Sequence, residues 1–268
     1  METTAFSHTG NIGDCIAAIP AMNEYFNKTG KKIDLYLKTN VPAKYYEGAT
    51  HPTKDESGGQ VMLNSKMVEM MTPLFLAQPC IASVKEWGDE EIAVRLEVIR
   101  ESYVGMPNLC LSRWYFYVYP DLAADLTKKW LTFPETEKDL AKGKIIITRS
   151  ERYLNDRIDY SFLKPYEDEI VFSGTMREYN NFCMAFDLNI KKLTLTNFLD
   201  LAQAIQQSRF HISNQTMAFQ ISQGLKKPRI VELCGFAPNV MVQGEDAYDF
   251  FAQPALEYYF DKLHKKTA

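Results

Sequence analysis

Long hydrophobic runs are missing from this chain, and none is long enough to span a bilayer. The start, Met1-Glu-Thr-Thr, has neither the basic region nor the apolar stretch of a secretory signal. Cysteine is sparse: five residues, odd in number and widely spaced (Cys15, Cys80, Cys110, Cys183, Cys234). No Cys-x-x-Cys pair exists, which excludes the usual zinc and dithiol motifs. Reduced, mostly buried thiols in a cytoplasmic protein are expected. The four histidines, His8, His51, His211 and His264, lack metal-ligand spacing, so no metal site is expected. His211 sits inside an apolar run and reads as a hydrogen-bonded core residue.

Positive charge is also short. The formal net charge is −4, which argues against nucleic acid as a partner and against general binding to a membrane surface. The basic tail at 262–266 allows at most peripheral contact with anionic lipid, and a solvated helix end accounts for it as well. Four further motifs are absent. Without Asp-x-Asp there is no metal–diphosphate clamp of the kind one glycosyltransferase class uses. Without Gly-x-Gly-x-x-Gly or a Walker A loop, nicotinamide enzymes and P-loop ATPases are disfavoured. Without Gly-x-Ser-x-Gly there is no hydrolase elbow.

What is present is an ordinary globular composition, 46% hydrophobic and 24% charged, with 16 Phe and 15 Tyr to build a core. The 268 residues suffice for one large or two medium domains. The pattern predicts strands at 4–7, 32–37 and 81–87 and helices at 12–27 and 63–71, with a long polar loop at 39–59. The aromatic stretch 109–119 reads as core or interdomain packing. A linker is placed within 128–142. Beyond it come strands at 144–148, 169–172, 209–213 and 228–233, and a short one marked by Leu193 and Leu195. Helices are predicted at 176–186, from the Thr196-Asn197 cap to about 207, and at 216–223 with Gly224 as C-cap. This alternation argues for α/β architecture with parallel sheets. The expected domains are 1–135 and 136–268, the last helix being open to a return to the first domain.

Four turns stand at predicted strand ends, where α/β sheets bind ligands. The first runs from His8 through Gly10, Asn11 and Gly13 to Asp14. Its glycines permit a sharp bend and close approach, and it brings a titratable pair to one corner; Asn11 or Asp14 also serves as an ordinary N-cap. The second, Arg149-Ser150-Glu151-Arg152, offers guanidinium forks for a diphosphate, or an exposed basic loop paired with Glu151 or Asp156. Ser173-Gly174-Thr175 is small enough to admit a nucleoside, or is a plain turn. Ser213-Asn214-Gln215-Thr216 should open a helix whose free N–H groups favour an anion, and Ser213 or Asn214 could equally be its N-cap. Glu232, at the next strand end, could accept from ribose hydroxyls or be structural.

Gly13-Asp14 followed by Pro20, and Ser208-Arg-Phe-His-Ile-Ser-Asn-Gln-Thr-Met-Ala leading to Gly224-Leu-Lys-Lys-Pro228, resemble two segments of the ADP-heptose:lipopolysaccharide heptosyltransferase family, in the same order. That resemblance implies a GT-B-like fold, two Rossmann-like domains with parallel sheets facing a cleft. It implies metal-independent, inverting transfer of a sugar from a nucleotide-sugar donor, a co-substrate rather than a cofactor, to a glycan or other hydroxyl acceptor. It casts Asp14 as base, with His8 orienting it or touching the acceptor. The donor side carries over to Gly13, Arg149, Ser150, Arg152, Ser173, Gly174, Ser213, Asn214, Gln215, Thr216 and Glu232. The chain departs from the family in being shorter and in carrying Gln215-Thr-Met-Ala-Phe219 where members have Thr-Gly-Pro-x-His. An inactive nucleotide- or sugar-nucleotide-binding module and a GT-B-shaped UDP-sugar epimerase are the alternative expectations.

Overall fold

Strand β1 (Thr3–His8) runs up the middle of the first sheet of the computed structural model, which describes residues 2–43, 52–101 and 110–267. His51, Leu109 and residues 44–51 of the expected loop lie outside the described residues. The chain divides into two units. The first comprises Met1–Leu126, Trp130–Pro134 and Asn197–Leu199; the second comprises Thr127–Lys129, Glu135–Thr196 and Asp200–Ala268.

In the first unit β1 is followed by α1 (Ile12–Ala17), α2 (Ile19–Thr29), β2 (Lys32–Leu37), α3 (Ser65–Leu76), β3 (Ile81–Glu86), β4 (Val94–Arg95) and α4 (Leu111–Val118), with a 3-10 turn at Leu96–Arg100. The four strands are parallel in the order β3-β2-β1-β4. Strand β2 buries alternate residues, Ile33, Leu35 and Leu37, as its sequence alternation requires. The single helix expected at 12–27 is broken at Ala18, which ends α1 and caps α2. Pro20 is the cause: it has no N–H to give residue 16 and suits only the first turn of a helix.

The second unit contains β5 (Ile145–Thr148), β6 (Ile170–Phe172), α5 (Met176–Phe186), β7 (Lys191–Lys192), α6 (Phe198–Gln207), β8 (His211–Asn214), α7 (Met217–Leu225), β9 (Arg229–Glu232), β10 (Ala247–Phe250) and α8 (Gln253–Thr267). Its six parallel strands run β10-β9-β8-β5-β6-β7. Strand β5 is buried along its length, with Ile145, Ile146 and Ile147 fully enclosed, as expected of a strand covered on both faces. The aromatic core joins Tyr160, Phe172, Phe182, Phe210 and Phe260. The short strand expected near Leu193 forms two residues earlier, where Lys191 and Lys192 pair with Val171 and Phe172. Gly224 is not the C-cap of α7. Leu225 still packs inward, and Lys226 takes the left-handed capping position at φ 57°. The edge strand β10 had no sequence signal.

Both sheets reverse their strand order beside their first strand, in one unit between β1 and β4, in the other between β5 and β8. Loops leaving the two strands at such a switch point diverge and leave a crevice at the carboxyl edge.

Candidate functional site

At the first switch point, β1 ends on His8 and α1 opens on Asn11 as N-cap. Asp14, on the first turn, accepts the Asn11 N–H on Oδ2 at 3.0 Å. The Arg100 guanidinium, from the turn after β4, forms an ion pair with the same oxygen. Burial alone would raise the Asp14 carboxyl; Arg100, His8 and the Asn11 amide reverse this and hold it below the usual carboxylate range. The Gly10 N–H donates to His8 Nδ1 at 2.8 Å, so the ring proton lies on Nε2. That nitrogen is 2.8 Å from the Tyr115 hydroxyl, which donates to the Asp14 carbonyl at 2.7 Å. Burial pushes His8 down to about 4, so the ring is neutral at neutral pH.

Gly10 is the glycine this corner depends on. A methyl group there would fall 2.6 Å from both Asp14 Oδ2 and His8 Cε1. Gly13 lies within α1. Tyr115 and Arg100 were not singled out by the sequence. Tyr115 stood in the aromatic stretch, but Arg100 carried no local signal. Ser7 also donates across the switch, to the buried Glu97 at 2.9–3.0 Å.

At the second switch point the loop after β5 meets the end of β8. Asn214 is the last residue of β8 and not a helix cap; Thr216 is the N-cap of α7. Asn214 Oδ1 accepts the Ser150 N–H at 3.0 Å, and its Nδ2 donates to the Ser150 and Arg152 carbonyls at 3.0 and 2.8 Å. Gln215 holds the next loop. Its Oε1 accepts the Cys234 N–H at 2.6 Å, and its Nε2 donates to the Ala237 carbonyl at 2.6 Å and to Asn239 Oδ1 at 2.7 Å. Asn214 and Gln215 are flanked in the chain by Ser213 and Thr216. Both flanking hydroxyl oxygens are buried and neither has a hydrogen-bond partner among the described residues. Ser213 is 2% exposed. A buried hydroxyl without a partner costs about 1–3 kcal/mol. Here it lies beside a helix start, where the first-turn N–H groups also have no intrahelical acceptor.

Arg149 and Glu232, expected at a diphosphate and a ribose, are bonded to each other. The guanidinium meets both carboxylate oxygens at 2.7 and 3.0 Å, and Asn155 N–H and Tyr160 O–H add donors at 2.6 and 2.8 Å. The faces of Tyr160 and Phe186 cover the cation. In this geometry the pair fastens the 149–155 loop to β9. Ser173 donates its N–H to the Ile147 carbonyl at 2.8 Å. Gly174 leaves no room for a side chain, because Phe172 and Glu178 occupy the space. Thr175 and Glu178 form a capping box on α5. His211 is the buried residue its strand implied, with Nε2 3.2 Å from Thr148 Oγ1.

Cys15, Cys80, Cys183 and Cys234 form no disulfide. Among the described residues no group of three or more His, Cys, Asp or Glu is placed to hold a metal ion, and no helix is long and apolar enough to cross a membrane.

No sequence-family profile matches the chain, and no curated protein matches it in sequence. Solved structures do. ADP-heptose lipopolysaccharide heptosyltransferase II of Escherichia coli superimposes with a TM-score of 0.64 at 11% identity, covering 99% of this chain and 100% of that one. The iron-containing dodecameric glycosyltransferase TibC of enterotoxigenic E. coli gives 0.61 at 10% identity, covering 100% and 79%. A glycosyl transferase family 9 protein of Veillonella parvula gives 0.54 at 12% identity, covering 100% and 90%. At such identities the likeness shows the fold: this chain has the α/β architecture of the GT-B-like glycosyltransferases, with two parallel sheets, as the resemblance implied.

Proposed function

We propose that this chain is a cytoplasmic glycosyltransferase that moves a sugar from a nucleotide-sugar donor to a hydroxyl of a glycan or other acceptor, inverting the anomeric centre without a metal. The observation that carries the reading is the pair of buried, unpartnered hydroxyls, Ser213 and Thr216, at the start of α7. Two such hydroxyls beside first-turn N–H groups that lack intrahelical acceptors match the oxygens of a diphosphate. The two-sheet fold shared with heptosyltransferases supports the same reading.

In this reading the diphosphate is met by Ser213, Thr216 and the helix start, with the nucleoside toward the Ser173–Gly174 turn. The acceptor oxygen attacks the anomeric carbon as the bond from that carbon to the diphosphate breaks. The diphosphate leaves with the electron pair, and Asp14 takes the acceptor proton. Asn11 and Arg100 both hold Oδ2, which leaves Oδ1 to receive it. The hydroxyls and N–H groups at α7 stabilise the departing charge, the work a metal does elsewhere. Arg149 acts through the loop it fastens.

One observation favours the inactive binding module instead. The Arg100 ion pair holds Asp14 below the usual carboxylate range, which weakens it as a base. One experiment separates the two. Melting temperature is followed with ADP, GDP, UDP and CDP, with and without magnesium, and sugar conjugates of the stabilising nucleotide are then assayed for transfer. A ligand at about 100 times its Kd stabilises by about 2.7 kcal/mol. Binding with turnover in the presence of chelator supports the transferase. Binding with no turnover across a broad acceptor panel supports the module. No stabilisation by any nucleotide refutes both.

A further inference from the structure

The two residues that precede Thr216 each hold one loop. Asn214 holds the carbonyl of Arg152, beside Tyr153, and Gln215 holds Cys234 and Ala237, on either side of Phe236. The two loops bring their aromatic rings together over the end of β8: the Tyr153 and Phe236 centroids are 6.3 Å apart at 36°. The Arg152 guanidinium lies 5.1 Å from the Tyr153 ring. The result is a cluster of guanidinium, phenol and phenyl, in which the Tyr153 and Phe236 rings are tilted to each other and Phe236 is 56% exposed. Tyr153 is held at φ 59°, a left-handed backbone that a bulky residue rarely adopts. The Asn214 bonds to the flanking carbonyls keep it there.

Both loops are tied to Asn214 and Gln215, the two residues between Ser213 and Thr216. The outer ring of the cluster, Phe236, follows β9 on one side of β8, whereas Arg152 and Tyr153 follow β5 and the Ser173–Gly174 turn follows β6 on the other side. A nucleotide sugar has a different group at each end of its diphosphate. With the nucleoside toward β6, the group toward β9 is the sugar. A pyranose presents an apolar face of C–H bonds, and an exposed phenyl ring on a tethered loop matches that face.

We propose that Phe236, backed by Tyr153 and Arg152, is the platform on which the pyranose of the donor lies beside its diphosphate. The assignment rests on the reading of the α7 start as a diphosphate site. It makes Phe236 a determinant of affinity for the sugar-bearing donor and not for the bare nucleotide.

The test uses the full chain with three probes: inorganic pyrophosphate, the nucleoside diphosphate that stabilises the protein, and the hexose conjugate of that nucleotide. Phe236→Ala is expected to weaken the conjugate about three- to tenfold, the scale of one aromatic contact, and to leave the other two Kd values unchanged. Phe236→Trp is expected to restore the conjugate. Because Phe236 is largely exposed, the alanine variant keeps the fold, which an unchanged melting temperature verifies. Equal weakening of conjugate and bare nucleotide overturns the proposal by placing the base on the ring. Unchanged affinity for all three overturns it as well. If no probe binds the unaltered protein, the diphosphate site itself is refuted and the platform with it; if pyrophosphate and nucleotide bind and only the sugar arm fails, the platform alone is refuted.

Discussion

Arg149 and Glu232, 83 residues apart, form a buried bidentate ion pair whose two contacts measure 2.7 and 3.0 Å. Asn155 and Tyr160 add further hydrogen bonds to it. Removing one partner strands the other as a buried charge, which costs about 3–5 kcal/mol. Arg149→Ala is therefore expected to lower stability by that amount in urea unfolding. Loss of nucleotide binding in that variant would follow from the loosened 149–155 loop. A stability change below about 1 kcal/mol would show that the pair is not buried in solution.

The α7 hydroxyls behave in the opposite way. Ser213→Ala removes a buried hydroxyl that has no partner among the described residues. Stability is expected to stay level or rise by about 1 kcal/mol, because the desolvation cost disappears. Nucleoside diphosphate affinity is expected to fall about tenfold, the worth of one hydrogen bond to a charged group. Calorimetric titration and thermal unfolding of the same sample check both halves. Unchanged affinity would remove Ser213 from the site.

Asp14→Asn is expected to lower turnover by about two to four powers of ten, the scale of a lost general base, with nucleotide affinity retained. Gly10→Ala approaches the same group from its packing side. Its methyl would meet Asp14 Oδ2 and His8 Cε1 at 2.6 Å each, and such overpacking costs about 1–3 kcal/mol. Turnover should fall with the displaced carboxylate while nucleotide binding in the second unit persists. Full activity in either variant would take the chemistry away from this corner.

Acid should destabilise the fold through two buried histidines. In the folded chain burial lowers His8 to about 4, and burial together with Arg229 lowers His211 to about 3. Unfolded, both take up a proton at about 6.5. Within that window the unfolded chain binds more protons, so stability rises with pH. The contribution is complete above about 6.5. It is lost as pH falls toward 4 for His8 and toward 3 for His211. Each histidine adds a slope of at most about 1.4 kcal/mol per pH unit. His8→Gln should flatten the curve between pH 6.5 and 4 in urea titrations, and an unaltered slope would mean that His8 is solvated.

What the sequence determined by itself is local. Continuous isoleucines marked β5, alternation at Ile33, Leu35 and Leu37 marked β2, and Met176–Phe186 forms the helix expected from Ser173-Gly174-Thr175 onward. These signals are readable because backbone period and capping act over a few residues. Asp14 and the 213–216 turn could be singled out for the same reason, since each stands at a strand end. The tertiary structure decided which groups meet. Arg100 reaches Asp14 from 86 residues away, because β4 lies beside β1. Glu232 takes Arg149 away from any ligand, and Asn214, which with Ser213 was one of two candidate caps of the next helix, turns to the loop across the switch point. Strand order sets these meetings, and it depends on long-range packing that no window of sequence contains.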